Sequence, residues 1–234
     1  MTALTDMGAG RPALRKAEPG VRRHQLIEAT IAVLARRGYA ALTVADVARQ
    51  AGLSSGIVIF HFSSKDRLLA EVLAALAADY RRHWQDAVQR AGIAPADRLK
   101  ALLLADFDMD VFTPDRLAAW IAFWGEAQGR PVYDQICSSH DGERRASLEA
   151  LCGALCEEGG YGHAPRLVMR GLDSMSDGLW LALAAHASGH RARLSAADAQ
   201  KTIMSALAAF FPRHFEPPGQ APAAPPFRPV AKPL

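Results

Sequence analysis

An all-α fold is predicted by three observations. Apolar residues recur at helical spacing from about residue 20 to residue 215, strand-type alternation is almost absent, and four of the helical stretches carry proline near their first turn. A fixed φ and a missing N–H are harmless at that position and damaging elsewhere in a helix. Residues 1–19 hold Gly8, Gly10, Pro12 and Pro19 with little apolar periodicity, so they read as a disordered basic arm. Over 24–37, Ile27, Ile31 and Leu34 share one helix face, and Gly38 stops the run. A short helix begins at Thr43, with Asp46 three residues on in a capping-box arrangement. Ser63 and Asp66 repeat that arrangement at the head of a long helix reaching about Gln89, ended by Gly92 and Pro95. Further helices are expected over 96–111, 114–128, 131–157, 165–187 and 196–214. Seven of the 14 prolines follow Glu216, which excludes helix and sheet and marks 216–234 as a disordered Pro-rich tail.

With 234 residues, half of them hydrophobic, the chain has material for a sizeable core. No apolar run approaches the roughly 18 residues of a membrane span. The stretch 178–187 reads instead as a buried helix, and the charged N-terminus lacks the apolar segment of a secretory signal. A cytoplasmic location is therefore expected. Cys137, Cys152 and Cys156 form no disulfide framework or CxxC pair. Cys152 and Cys156, one helical turn apart, fit either buried thiols in a helical core or a thiol sensor or metal site.

The net charge of +3 is unevenly placed. Up to Lys65 there are nine basic and four acidic residues, hence +5, which leaves −2 on the remainder. A basic head on a mildly acidic body suits phosphate binding, although a solvated arginine-rich arm gives the same count. No metal-ligand spacing, Gly-rich phosphate loop or nucleophile elbow argues for an enzyme or a cofactor. His61 and Asp66, the nearest thing to an acid–base pair, are explained by their place around a helix cap.

The informative segment is 43–62. A short helix packs through Val44, Val47 and Ala48, and the small Ala48 allows a second helix to cross closely. Gly52 follows four residues later, where a helix-turn-helix needs positive φ. Leu53 fills the core, Ser54 offers an N-cap and Val58 is the buried residue of the second helix.

In these residues the chain resembles the TetR family of bacterial regulators. The likeness rests on Ala29-Thr30, Leu34, Gly38-Tyr39, Thr43-Val44, Val47-Ala48, Ala51-Gly52-Leu53-Ser54, Gly56 and the run from His61 to Leu69. A weaker likeness involves the runs from Arg22 to Ile27, Ser55 to Ile57, Ala119 to Trp124 and Asp177 to Leu181. It points to the branch of the choline-sensing repressor of betaine synthesis.

The resemblance implies a DNA-binding domain at 20–68, a ligand-binding and dimerising body at 69–215, and a dimeric cytoplasmic repressor at the nucleoid. Its partners would be a near-palindromic duplex operator, a second copy of the chain and a small effector; the alternative is a regulator of the same fold controlled by thiol oxidation or a partner protein, or acting as an activator. It further implies that Thr43 caps its helix at a DNA phosphate and that Val44 and Ala45 skirt the backbone. Ser54 and Ser55, Gly56, Ile57, Ile59, Phe60 and His61 would face the groove or its walls. Lys65 would neutralise a phosphate or stand solvated in its first turn, and Arg22 and Arg23 would either touch phosphate or lie exposed. One departure matters: Ile59 stands where the family often has tyrosine, so Ser55 and His61 are the main polar groups left for base edges. Reading through thymine methyls by Ile57 or Phe60, together with DNA shape, is the alternative. Phe62 is expected in the core, and Phe60 is open to either role.

For the body, Leu167, Leu172, Leu179, Leu183, Ile203, Leu207 and Phe210 are expected in the core or in a four-helix dimer interface. Phe107, Trp120, Phe123, Trp124, Asp173, Asp177 and Trp180 are the candidate ligand-contacting residues. Trp120, Phe123 and Trp124 share a helix face by their spacing. Aromatic rings with carboxylates suit a quaternary ammonium ligand, at roughly 0.5–2 kcal/mol per face; an ordinary aromatic core gives the same pattern.

Overall fold

The helical periodicity resolves into helices alone, with no strand among the described residues. The structure, a computed structural model, describes residues 19–127, 131–185 and 194–218. Residues 1–18 of the expected arm, residues 219–234 of the expected Pro-rich tail and the Cys137 side chain fall outside them, while Pro19, expected in the arm, opens the first helix. The described helices are α1 Pro19–Ala41, α2 Val44–Ala51, α3 Ser55–Phe62, α4 Lys65–Arg90, α5 Pro95–Leu104, α6 Pro114–Ala127, α7 Pro131–Gly159, α8 Pro165–Ala185 and α9 Ala196–Phe210.

The stop expected at Gly38 is a kink there (φ 71°, ψ 178°), with α1 continuing to Ala41. α2 is capped by Thr43, whose Oγ1 accepts from the Asp46 N–H at 3.2 Å. Its far end is a Schellman turn. The Gly52 N–H bonds the Arg49 carbonyl at 3.2 Å and the Leu53 N–H bonds the Ala48 carbonyl at 2.8 Å. Gly52 is left-handed there (φ 67°, ψ 32°). A Cβ is disfavoured in that region, so Gly52→Ala is expected to lower the unfolding free energy by about 1–2 kcal/mol. Urea unfolding measures it; an unchanged midpoint would mean the turn is not left-handed in solution.

Three expected boundaries shift, the simplest being the helix expected over 196–214, which ends at Phe210. The cap of α4 is Ser64 rather than Ser63, with Ser64 Oγ accepting from the Arg67 N–H at 3.1 Å. Helix α3 extends to Phe62, so Ser63 (φ 64°) is consumed by the reversal between the helices. The helix expected over 96–111 ends at Leu104 and tightens into a 3-10 turn, Ala105–Phe107. Asp108 Oδ1 then accepts from the Asp110 N–H at 3.1 Å, a local bond that competes with helix continuation.

Two apolar clusters hold these elements together. One gathers Leu34, Val47, Val58, Phe62 and Leu69 of the head with Trp120, Phe123 and Trp180. The other joins Trp84, Leu102, Phe107, Leu155, Leu172, Ile203 and Leu207 across α4, α5 and α7–α9. The head therefore shares its core with α6 and the tip of α8. α1 lies chiefly along α6. On α6, Arg116 bonds Glu28 of α1 and Asp79 of α4, each at 2.9 Å. The Tyr39 and Tyr133 hydroxyls add a 2.6 Å bond between α1 and α7. No helix among the described residues is long and apolar enough to cross a membrane.

Candidate nucleic-acid interface and ligand cavity

Packing fixes the orientation of α3. Val58 and Phe62 are buried at 1% exposure, while Ser54, Ser55, Gly56, Ile57, Ile59 and Phe60 face outward. Phe60 is 83% exposed, so of its two expected roles the structure leaves the outward one. The half-buried His61 ring sits edge-on to Phe60, centroids 5.3 Å apart. Ser54 occupies the N-cap position of α3 without a side-chain cap bond.

Thr43 is less free than its exposure suggests. Its hydroxyl donates to Asp46 Oδ2 at 2.7 Å while accepting from the Asp46 N–H. A phosphate only accepts, and the single hydroxyl proton is already committed. The donors left at this helix start are the N–H groups of Val44 and Ala45, which have no intrahelical partner by position. Asp46 is a residue that sequence reading used only as a cap partner. It also takes Arg37 at 2.8 Å and Arg49 at 3.0 Å. The Thr43 hydrogen bond first, and then these guanidinium groups, hold its carboxyl below the usual range. Arg23 is likewise engaged, donating to the His61 carbonyl at 3.0 Å, pairing with Glu71 at 2.8 Å and lying over the Phe62 ring. Lys65 opens α4, half-buried, with Nζ 5.8 Å from the centre of the Tyr39 ring.

A cavity of about 280 Å³ opens between α4, α6, α7 and α8. Trp120, Trp124, Trp180 and Phe112 wall it. The Trp180 ring centre lies 6.4 Å from Trp120, 5.2 Å from Trp124 and 6.0 Å from Phe112. Arg144 forms the opposite wall, buried between two carboxylates. It donates to Asp173 Oδ1 at 2.6 Å and to Asp106 Oδ2, while Tyr80 Oη donates to Asp106 Oδ1 at 2.8 Å. Arg145 takes the second Asp173 oxygen at 2.9 Å. Burial pushes the Asp106 carboxyl up, and Arg144 opposes the shift.

Asp177 differs from these carboxylates. It stands at the rim without a hydrogen bond or ion pair to any described residue, and desolvation, reinforced by Asp173, pushes its carboxyl up to about 6. Asp141 and Arg145 complete the charged part of the lining.

Comparison with known proteins decides what these two sites belong to. The model of bacterial regulatory proteins of the TetR family matches residues 26–72, and that of the BetI-type transcriptional repressor C-terminal domain matches 95–212. The chain belongs to the TetR family. A BetI regulator from Agrobacterium fabrum is 32% identical over 161 residues, 69% of this chain and 76% of its own length. A candidate transcriptional regulator from Pseudomonas aeruginosa PAO1, known from a crystal structure, superposes with a TM-score of 0.71 at 29% identity, over 86% of this chain and 97% of its own. A candidate regulator from Saccharomonospora viridis, crystallised in complex with choline, shares the fold (TM-score 0.65, 21% identity, 80% of this chain and 96% of its own).

As a TetR-family member with a BetI-type C-terminal domain, the chain is a DNA-binding transcriptional regulator and not an enzyme. Five of the seven residues singled out for a ligand, Trp120, Trp124, Asp173, Asp177 and Trp180, meet at the cavity. Phe123 and Phe107 do not. Phe123 turns toward Tyr39 and Tyr133, with centroids at 6.1 and 5.6 Å, and Phe107 is buried in the second core. Sequence reading missed Tyr80, Asp106, Phe112, Asp141, Arg144, Arg145 and Ser176, which come from four separate stretches of chain. Of the thiols, Cys152 is fully buried and burial pushes it up to about 12, so it stays protonated. Cys156 is buried too and also raised. Neither has the thiolate character that a redox sensor needs.

Proposed function

We propose that this TetR-family regulator is a homodimeric repressor of a near-palindromic operator, released from DNA by a small quaternary ammonium cation of the choline class. The observation that carries the effector class is the cavity: three tryptophans beside Asp177, a carboxylate that makes no direct ion pair with a described residue although Arg144 and Arg145 stand near it. Quaternary ammonium groups cannot donate hydrogen bonds, so aromatic faces and a nearby carboxylate are the means of holding one. The choline bound to the S. viridis protein, on the same fold, supports this reading.

In the head, Ser55, Gly56, Ile57, Ile59, Phe60 and His61 would enter the major groove, with Ser54 at its wall. Val44, Ala45 and Lys65 would meet phosphates, and Thr43 would act by fixing the start of α2. Two copies of α3 reach successive major grooves when their centres lie about 34–36 Å apart on a dyad. Of the residues expected in the core or the dimer interface, Leu167 is 66% exposed on α8 and would join the dimer contact, together with the 44% exposed Leu181, whereas Leu172, Ile203 and Leu207 are fully buried within the chain.

Titrating the protein with choline while following tryptophan fluorescence tests the effector assignment. Saturable quenching at pH 7.5 is expected, and none at any concentration would refute it. The pH dependence follows from Asp177. Above about 6 its carboxyl is ionised and attracts the cation; below about 6 it is protonated and the attraction is lost. Affinity is therefore expected to be full at pH 7.5 and to fall as the pH drops through 6. The same titration on Asp177→Asn should be weak and flat with pH; a wild-type profile in that variant would exclude Asp177 as the titrating group.

A further inference from the structure

Gly56 and Phe60, four residues apart, form one outward line on α3, opposite the buried Val58. Nothing among the described residues requires a glycine at 56. Its φ is not positive, and a Cβ there would meet only Ser54 Oγ, at an ordinary 3.8 Å. Helical glycine is intrinsically unfavourable, so the missing side chain makes room for something outside the chain. Along that line and its shoulders the large side chains are apolar: Phe60 at 83% exposure, Ile59 at 44% and Ile57 at 36%. Ser55 and the half-buried His61 are the polar side chains of the helix.

The floor of the major groove offers one apolar feature, the 5-methyl group of thymine. Pressed against guanine or cytosine edges, isoleucine and phenylalanine would desolvate donors and acceptors without replacing their hydrogen bonds. Against thymine methyls they gain buried apolar contact. From this we infer that α3 selects its half-site by thymine methyl groups, with Phe60 as the principal specificity-determining residue and Gly56 setting the depth of approach. The inference rests on α3 being the recognition helix, and it adds the chemical feature that the helix reads.

The test begins by selecting duplexes from a random library with the full-length protein, then replacing thymines of the selected half-site by deoxyuridine. This exchange removes the methyl and leaves base pairing intact. Each contacted methyl removed is expected to weaken binding about fourfold. Phe60→Ala should bind thymine and deoxyuridine duplexes nearly equally. Because Phe60 is exposed, its thermal midpoint should match the wild type, which separates lost reading from lost folding. Equal wild-type affinity for the two duplexes, or a selected half-site of G·C pairs, would overturn the inference while leaving operator binding intact. Failure to select any duplex would overturn the recognition-helix reading itself.

Discussion

Replacing Arg144 by methionine is expected to lower the unfolding free energy by about 3–5 kcal/mol, the cost of stranding buried charge when one member of an ion-pair network is removed. Arg144 is 5% exposed and is shared by Asp106 at 5% and Asp173 at 9%. Without it, Asp106 is left with the Tyr80 hydroxyl and Asp173 with Arg145 as the partners at hand. The Asp106 carboxyl, which burial already pushes up, would move further toward the protonated form. Urea unfolding at matched m-value measures the loss, and a change below about 1 kcal/mol would show that the network is solvated. Combining Arg144→Met with Asp106→Asn and Asp173→Asn should recover much of the deficit, because the penalty lies in the orphaned charges.

Trp180→Leu is expected to weaken the cation by about thirtyfold, the equivalent of one desolvated cation–π face at about 2 kcal/mol. Trp180 is the ring that the other cavity aromatics share, within 6.4 Å of Trp120, Trp124 and Phe112. Leucine keeps the site apolar but has no π face. DNA affinity without the cation should be largely retained, since leucine keeps apolar the core that Trp180 shares with Val58 and Phe62 of the head. Isothermal titration with choline and anisotropy of labelled DNA read the two effects separately. Undiminished choline affinity would remove Trp180 from the site.

The head was legible in the sequence because its determinants are local. The Thr43 cap, the left-handed Gly52 and the small Ala48 each act within one turn of where they stand. The cavity was legible only where helical spacing carries information. Trp120 and Trp124 are four apart and face Trp180, but Phe123, on the same stripe, lies at its edge and meets Tyr39 and Tyr133 instead. A helix stripe can face two neighbours, and only tertiary packing decides which residue turns to which. The Arg144 network joins positions 29 and 38 residues apart, and such pairings leave no local pattern. Ser63 and Ser64 are equivalent as caps on paper; the length of α3 selects the second.

Helix α6 links the cavity to the head. It presents Trp120 and Trp124 to the cavity and Arg116 and Phe123 to α1. A cation that binds better when α6 is differently placed would shift the dimer away from the spacing that DNA requires. A coupling of ~3 kcal/mol corresponds to about a 150-fold change in affinity. The direct measurement is the Kd for the DNA upstream of the protein's own gene, alone, with saturating choline, and with 3,3-dimethylbutan-1-ol, the uncharged carbon analogue of choline. Choline should raise the Kd by about two orders of magnitude and the neutral analogue should leave it unchanged. A Kd insensitive to choline, or equally sensitive to both compounds, would contradict a cation-operated switch.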